Sequence, residues 1–239
     1  MSRNTVQILG YGIDDIGLDD AVEKAFDTPG QIVTINPEMM SYGLKDSEFS
    51  NILKSAQLVV PDGIGVVLGL KILGHNIHRL PGIELGMALL CKASKENKKV
   101  AFVGAKEYIV NQAVKNLKSK FENLNVVYVK DGYFSDDAKV VEEVVNAQPD
   151  LVLVALGSPK QEFFIDKLKK ELSNSVMIGL GGSFDVWAGV VKRAPIVYQR
   201  LGLEWMYRVL CEPKRISRIF PAIPLFLCKV LKERLSQNK

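Results

Sequence analysis

Apolar and polar positions along this chain follow two rhythms. Short apolar runs at residues 6–9, 31–35, 58–60, 100–103, 126–129, 151–155 and 176–180 have the length of strands. Between most of them apolar residues recur at helical spacing, as in 107–121, 136–147 and 161–172. The run at 151–155 is apolar at every position, as in a strand covered on both faces. The alternation predicts an α/β domain over residues 1–195, a mainly parallel sheet flanked by helices. Repeats and low-complexity linkers are absent from the sequence.

From Pro195 the pattern changes. Residues 196–211 read as a helix that Glu212-Pro213-Lys214-Arg215 interrupts. The apolar segment that follows is too short to span a bilayer, which needs roughly 20 residues. Pro221 and Pro224 are expected to break it. Apolar residues among bases, with Trp205 and Tyr207 nearby, suit a segment lying on a membrane surface; a C-terminal helix packed on the domain suits them equally. Residues 196–239 thus form a basic, amphipathic C-terminal appendage.

Charge sharpens that division. Residues 200–239 hold nine Lys and Arg against three Glu, a local +6 in a chain whose net charge is +4. The basic character therefore belongs to the appendage, and such a patch fits anionic lipid, an anionic substrate or nucleic acid. Composition over the whole chain is ordinary for a soluble globular protein, with 47% hydrophobic and 24% charged residues. Met1-Ser2-Arg3-Asn4 leads directly into the first strand, and no signal peptide is expected. Cys91, Cys211 and Cys228 are odd in number and widely spaced, which fits buried structural thiols in a reducing compartment.

Polar residues capable of chemistry gather where strands end, the place at which open α/β sheets bind ligands. Asp62, in Pro61-Asp62-Gly63, is a candidate general base, although Pro-Asp-Gly is also an ordinary turn. Thr34 and Asn36 can bond a sugar hydroxyl or orient that aspartate; Asn36-Pro37 is equally a natural helix start. Gly157-Ser158-Pro159-Lys160-Gln161 opens a helix, where N–H groups face an anion and Gln161 can donate to a phosphate oxygen. Gly181 and Gly182 allow close backbone approach to a phosphate or ribose. Asp185 can hold ribose hydroxyls or cap a helix, and Arg79 can meet a diphosphate or sit in a solvated loop. His75 and His78 read as surface histidines, with no carboxylates or cysteines at metal-ligand spacing beside them.

Taken together these clusters resemble the WecG/TagA/CpsF glycosyltransferases, bacterial enzymes that build cell-surface polymers. The resemblance runs from about Thr5 to Arg218. It rests on Thr34-Ile35-Asn36-Pro37, Pro61-Asp62-Gly63-Ile64-Gly65, Arg79-Leu80-Pro81-Gly82, Asp131-Gly132-Tyr133-Phe134, the segment 157–162, Gly181-Gly182-Ser183-Phe184-Asp185, Arg193-Ala194-Pro195, Leu203-Glu204-Trp205-Met206-Tyr207-Arg208 and the segment 212–218. It implies a Rossmann-like fold and transfer of an N-acetylmannosamine-type sugar from a UDP donor to polyprenyl-diphosphate-linked GlcNAc, with inversion, without metal or cofactor, in polymer synthesis such as the wall teichoic acid linkage. Another UDP-sugar, such as the uronic acid, would need similar diphosphate contacts.

By the same resemblance Asp62 is the base, with Thr34 and Asn36 in the sugar pocket. Gln161 meets the donor diphosphate, Tyr133 stacks on uracil, Asp185 holds the ribose and Arg79 meets a phosphate. Arg208, Arg215 and Arg218 cover the diphosphate while Trp205, Ile219, Phe220, Leu225 and Phe226 dip into the inner face of the cytoplasmic membrane. On this reading a chain lacking 196–239 folds but loses transfer and membrane binding, and apolar patches on the appendage can drive self-association. Two other classes compete. A dinucleotide-dependent enzyme would need a Gly-x-Gly-x-x-Gly turn, but Gly10-Tyr11-Gly12 stops at two glycines. A non-catalytic adaptor would use the basic tail for salt-sensitive binding without Asp62.

Overall fold

The computed structural model describes residues 5–200, 202–211 and 216–237, without the side chains of Arg200, Arg208, Cys211, residues 216–222 and Gln237. The chain opens with a hairpin of β1 (Thr5–Ile8) and β2 (Tyr11–Asp14), paired antiparallel. Leu9 and Gly10 turn it at φ 50 and 77°, the left-handed pair that a two-residue hairpin loop demands. This corrects the expectation for the first strand, which joins its own two-stranded sheet. Gly10 sits in the turn of that hairpin and Gly12 on its second strand.

After α1 (Leu18–Asp27) comes β3 (Gln31–Ile35), then α2 (Pro37–Gly43), α3 (Ser47–Lys54), β4 (Leu58–Pro61), α4 (Ile64–Ile72) and α5 (Gly82–Lys95). The second half runs β5 (Lys99–Gly104), α6 (Glu107–Lys120), β6 (Asn125–Lys130), α7 (Asp137–Ala147), β7 (Leu151–Ala155), α8 (Lys160–Lys169), β8 (Val176–Gly179) and α9 (Ser183–Trp187). The appendage adds α10 (Ile196–Arg200), α11 (Glu204–Cys211) and α12 (Ile216–Gln237). Side chains start three helices where the sequence places good caps. Asn36, Asp46 and Asp136 accept from the N–H three residues on and begin α2, α3 and α7.

Strands β3 to β8 form one parallel sheet in the order β4-β3-β8-β7-β5-β6, covered by helices on both faces as expected of a Rossmann-like fold. Central β7 and β8 are buried at every position, whereas edge strand β6 is half-buried throughout. The chain leaves β5 toward β6 but leaves β7 toward β8, so its direction reverses between β7 and β5. A crevice at the carboxyl ends of the strands is expected where that happens.

Two expectations for the appendage fail. The apolar segment with Pro221 and Pro224 is not broken: α12 runs unbroken over both prolines. A proline inside a helix costs about 3 kcal/mol or more, and burial beyond the prolines offsets it. Phe226 and Val230, one helical turn apart, are both 0% exposed inside a cluster with Ile8, Met40 and Leu70. Phe226 is therefore a core residue and not a membrane contact, while Leu225 beside it faces solvent. A chain ending at 195 would lack two side chains of this core. Cys228 is exposed and Cys91 only half-buried, which also corrects the buried-thiol reading; Cys211 lies outside the described side chains. Among the described residues no helix is long and apolar enough to cross a membrane.

Candidate active site

The parallel register of β3 and β4 builds the site. Ile35 pairs with Pro61, so Asn36 and Asp62 leave neighbouring strands side by side. Asp62 N–H donates to the Ile35 carbonyl at 3.1 Å and prolongs the ladder by one bond. Its carboxylate Oδ1 accepts from the Gly82 N–H at 2.8 Å. That N–H opens α5, where helical donors have no partner of their own, and a carboxylate there is favoured by the helix dipole. Space at Gly82 is tight, because a Cβ there would lie 3.1 Å from Thr34 Oγ1. Gly65 is constrained in the same way: a Cβ would stand 2.7 Å from the Pro37 ring.

Thr34, Asn36, Asp62 and Arg79 line one cavity of about 250 Å³ together with Glu38, Ser183, Glu204 and Trp205. That is slightly below the roughly 300–1,000 Å³ of pockets for larger ligands and suits a single sugar ring. Asn36 Oδ1 is committed to the Met39 N–H at 3.0 Å, so the residue caps α2; it also lines the cavity, where its amide NH₂ is a donor. Thr34 Oγ1 reaches the Gly179 carbonyl at 3.5 Å, tying β3 to the end of β8.

Arg79 carries the roof. Its Nη2 stands 3.1 Å from Glu204 Oε2 and donates to the Gln199 carbonyl at 3.2 Å. Glu204 also accepts from Arg193 Nε at 3.4 Å, and Arg193 continues to Glu84 at the start of α5. Two arginines and two glutamates thus close a neutral cluster that joins α11 to the rim of the sheet. Glu204 and Trp205 belong to a sequence motif that implies no place in the cavity; an acid inside a basic stretch is the available signal. Trp205, expected at a membrane interface, lines the cavity wall instead.

The remaining candidates lie outside this cavity. Gln161 is 5% exposed, and its amide faces inward: Oε1 accepts from the Gly181 N–H at 3.0 Å, and Nε2 donates to Glu162 Oε1 at 2.8 Å. It supports the Gly181–Gly182 turn from behind. Gly181, at φ 48°, has open space where a side chain would stand. Asp185 is partly exposed on α9. Tyr133 is 75% exposed on the loop after β6, its N–H held by Asp131 Oδ1 at 2.8 Å. Next to it Phe134 packs on Phe164, and the Lys160 ammonium lies 4.8 Å from the Phe134 ring centre. Arg215 lies outside the described residues, as do the side chains of Arg208 and Arg218.

The sequence is similar to those of known proteins. Residues 6–239 match the family described as Glycosyl transferase WecG/TagA/CpsF family. A Bacillus spizizenii protein named N-acetylglucosaminyldiphosphoundecaprenol N-acetyl-beta-D-mannosaminyltransferase is 40% identical over 87% of this chain and 81% of its own. The Bacillus subtilis protein of that name is 39% identical over the same shares. One from Staphylococcus aureus is 35% identical over 98% of this chain and 95% of its own.

Proposed function

The chain belongs to the Glycosyl transferase WecG/TagA/CpsF family, and on that premise we propose that it moves N-acetylmannosamine from a UDP donor to GlcNAc on a polyprenyl diphosphate. The observation that carries this reading is the Asp62 carboxylate, aligned by Gly82 in a cavity with Thr34, Asn36 and Arg79. The acceptor hydroxyl attacks the anomeric carbon of the donor in one displacement. Its oxygen forms the new glycosidic bond and its proton passes to Asp62, as the bond to the UDP phosphate breaks and UDP departs. A single displacement inverts the anomeric centre. Asn36 and Thr34 hold sugar hydroxyls.

Charge on the leaving diphosphate needs electrostatic stabilisation without a metal ion, and arginine forks supply it. Arg79 is the described candidate; Arg208, Arg215 and Arg218 follow from the family resemblance. The nucleotide lies along the crevice between β7 and β5. There Tyr133 offers an exposed ring for uracil, Asp185 reaches the ribose, and the Gly181–Gly182 turn, held by Gln161, meets the diphosphate. A lipid-linked acceptor calls for a membrane surface, and the basic appendage suits peripheral docking on the inner leaflet.

UDP release from UDP-N-acetylmannosamine, with and without a lipid-diphosphate-GlcNAc acceptor, tests the proposal. The native chain should show acceptor-dependent release, and Asp62→Asn should lose it by a factor of about 10² or more. Equal release by both proteins removes Asp62 as base. Turnover only with another UDP-sugar keeps the mechanism and changes the donor.

A further inference from the structure

Glu162 takes no part in the displacement above, yet with Asp14 it is one of two buried acids among the described residues. It lies in the first turn of α8, 3% exposed, and no cation pairs with it among the described residues. Oε1 accepts from Gln161 Nε2 at 2.8 Å, and Oε2 is buried without a well-formed hydrogen bond. Burial pushes its carboxyl pKa upward, and hydrogen bonds from Gln161 and Ser158 offset only part of this.

The direction of each bond is dictated by chemistry. The Gly181 N–H can only donate, so Gln161 must turn its oxygen toward Gly181 and its NH₂ toward Glu162. A Cβ on Gly179 would stand 2.5 Å from Gln161 Nε2, so the amide lies flush against the end of β8. The Gly179 carbonyl is the one that Thr34 meets, and Leu180 and Ser183 on either side of the turn line the cavity. The relay from Glu162 through Gln161 to Gly181 therefore joins the start of α8 to the wall of the sugar cavity.

We propose that Glu162 is a positioning residue: as a buried hydrogen-bond acceptor, and not as a charge, it fixes the Gln161 amide and through it the Gly181–Gly182 turn that receives the donor. The inference rests on the UDP-sugar transferase reading. Glutamine at 162 keeps the acceptor oxygen and lacks the ionisable group; methionine keeps the length and lacks the oxygen. Donor and acceptor KM, kcat, melting temperature and hydrogen exchange at the Gly181 amide are measured for the native chain, Glu162→Gln and Glu162→Met.

Glu162→Gln should hold donor KM within about twofold of native, while Glu162→Met raises it about tenfold with acceptor KM unchanged. Exchange at Gly181 should be about tenfold faster in Glu162→Met and native-like in Glu162→Gln. The proposal is overturned if Glu162→Gln raises donor KM as Glu162→Met does, which would mean that the charge is needed. It is overturned too if Glu162→Met keeps native donor KM or native exchange at Gly181, whatever its melting temperature. Should Glu162→Met fail to fold, Glu162→Ala carries the same test, and Glu162→Gln alone still decides the question of charge. Exchange is read without substrate, so a native chain that turns over no UDP-sugar sinks the transferase reading and leaves that arm of the test standing.

Discussion

The two ends of the appendage are fastened by different forces. The roof, α10 and α11, leaves Ile196 and Val197 64% exposed and Leu210 66% exposed, and meets the body through the Arg79–Glu204–Arg193–Glu84 cluster. The far half of α12 buries Phe226 and Val230 completely and adds polar bonds at its periphery. Glu233 accepts the Leu9 N–H of the hairpin turn at 3.0 Å, and Arg234 donates to the Leu73 carbonyl at 3.3 Å. Side chains held by partly solvated ion pairs contribute about 1 kcal/mol or less each, whereas a buried phenylalanine contributes several. One stretch of chain thus contains an anchor that belongs to the core and a roof that can lift at low cost. Under the proposed transfer, in which the cavity admits a donor and a lipid-linked acceptor in turn, that difference is useful.

The largest test of the contrast removes the anchor. Gly69 leaves the room in which the Phe226 ring sits, since a Cβ there would stand 3.0 Å from it. Phe226→Ala should lower unfolding free energy in urea by about 3–5 kcal/mol. A loss below about 1 kcal/mol would mean that α12 is not part of the core in solution, and the two ends would then be alike.

A smaller effect isolates the body from both ends. The folded-state pKa of Glu162 lies above the ordinary glutamate value of 4.5 because the group is buried. As pH rises past that value the unfolded chain loses a proton that the folded chain keeps. The folded state then binds more protons, and stability falls with pH until the folded carboxyl also ionises. Glu162→Gln has no such loss. Urea melts taken upward from pH 4.5 should show it gaining on the native chain by about 1 kcal/mol per pH unit across that window. A gap independent of pH would mean that the carboxyl is ionised when folded.

The body was far more legible in the sequence than the appendage. Parallel strands buried on both faces need apolar residues at every position, and strands such as 31–35 and 151–155 were read with their observed bounds. Asn36 and Asp62 could be brought together because both follow strand ends, although their adjacency depends on the β3–β4 register. The hairpin strand β2 was missed, since two glycines in Gly10-Tyr11-Gly12 weigh against a strand until a partner is known. Pro221 and Pro224 argued locally for a break that long-range burial of Phe226 overrides. Gln161 read as a ligand because side-chain direction at a helix start is not encoded in spacing; its inward turn follows from Gly181 and Glu162, the first of them 20 residues away. Glu204 escaped notice for the same reason, as its partners Arg79 and Arg193 come from distant segments.

The smallest effect on stability bears most directly on the roof. Arg79 is bonded both to Glu204 and to the Gln199 carbonyl, so its guanidinium orders α10 and α11 together. A double-mutant cycle of Arg79→Ala and Glu204→Gln should give a coupling of about 1 kcal/mol, shrinking as salt screens the partly exposed cluster. Arg193 still holds Glu204 when Arg79 is gone, which limits the loss. In a Trp187→Phe background Trp205 fluorescence reports on the cavity wall alone, and both single variants should shift it toward solvent while the global melt barely moves. Acceptor-dependent UDP release should fall tenfold or more in Arg79→Ala, because the same guanidinium that steadies the roof is available to the diphosphate. If global stability fell by several kcal/mol instead, the roof would be as much a part of the core as Phe226. The contrast between a charged clasp and an apolar anchor would then be lost.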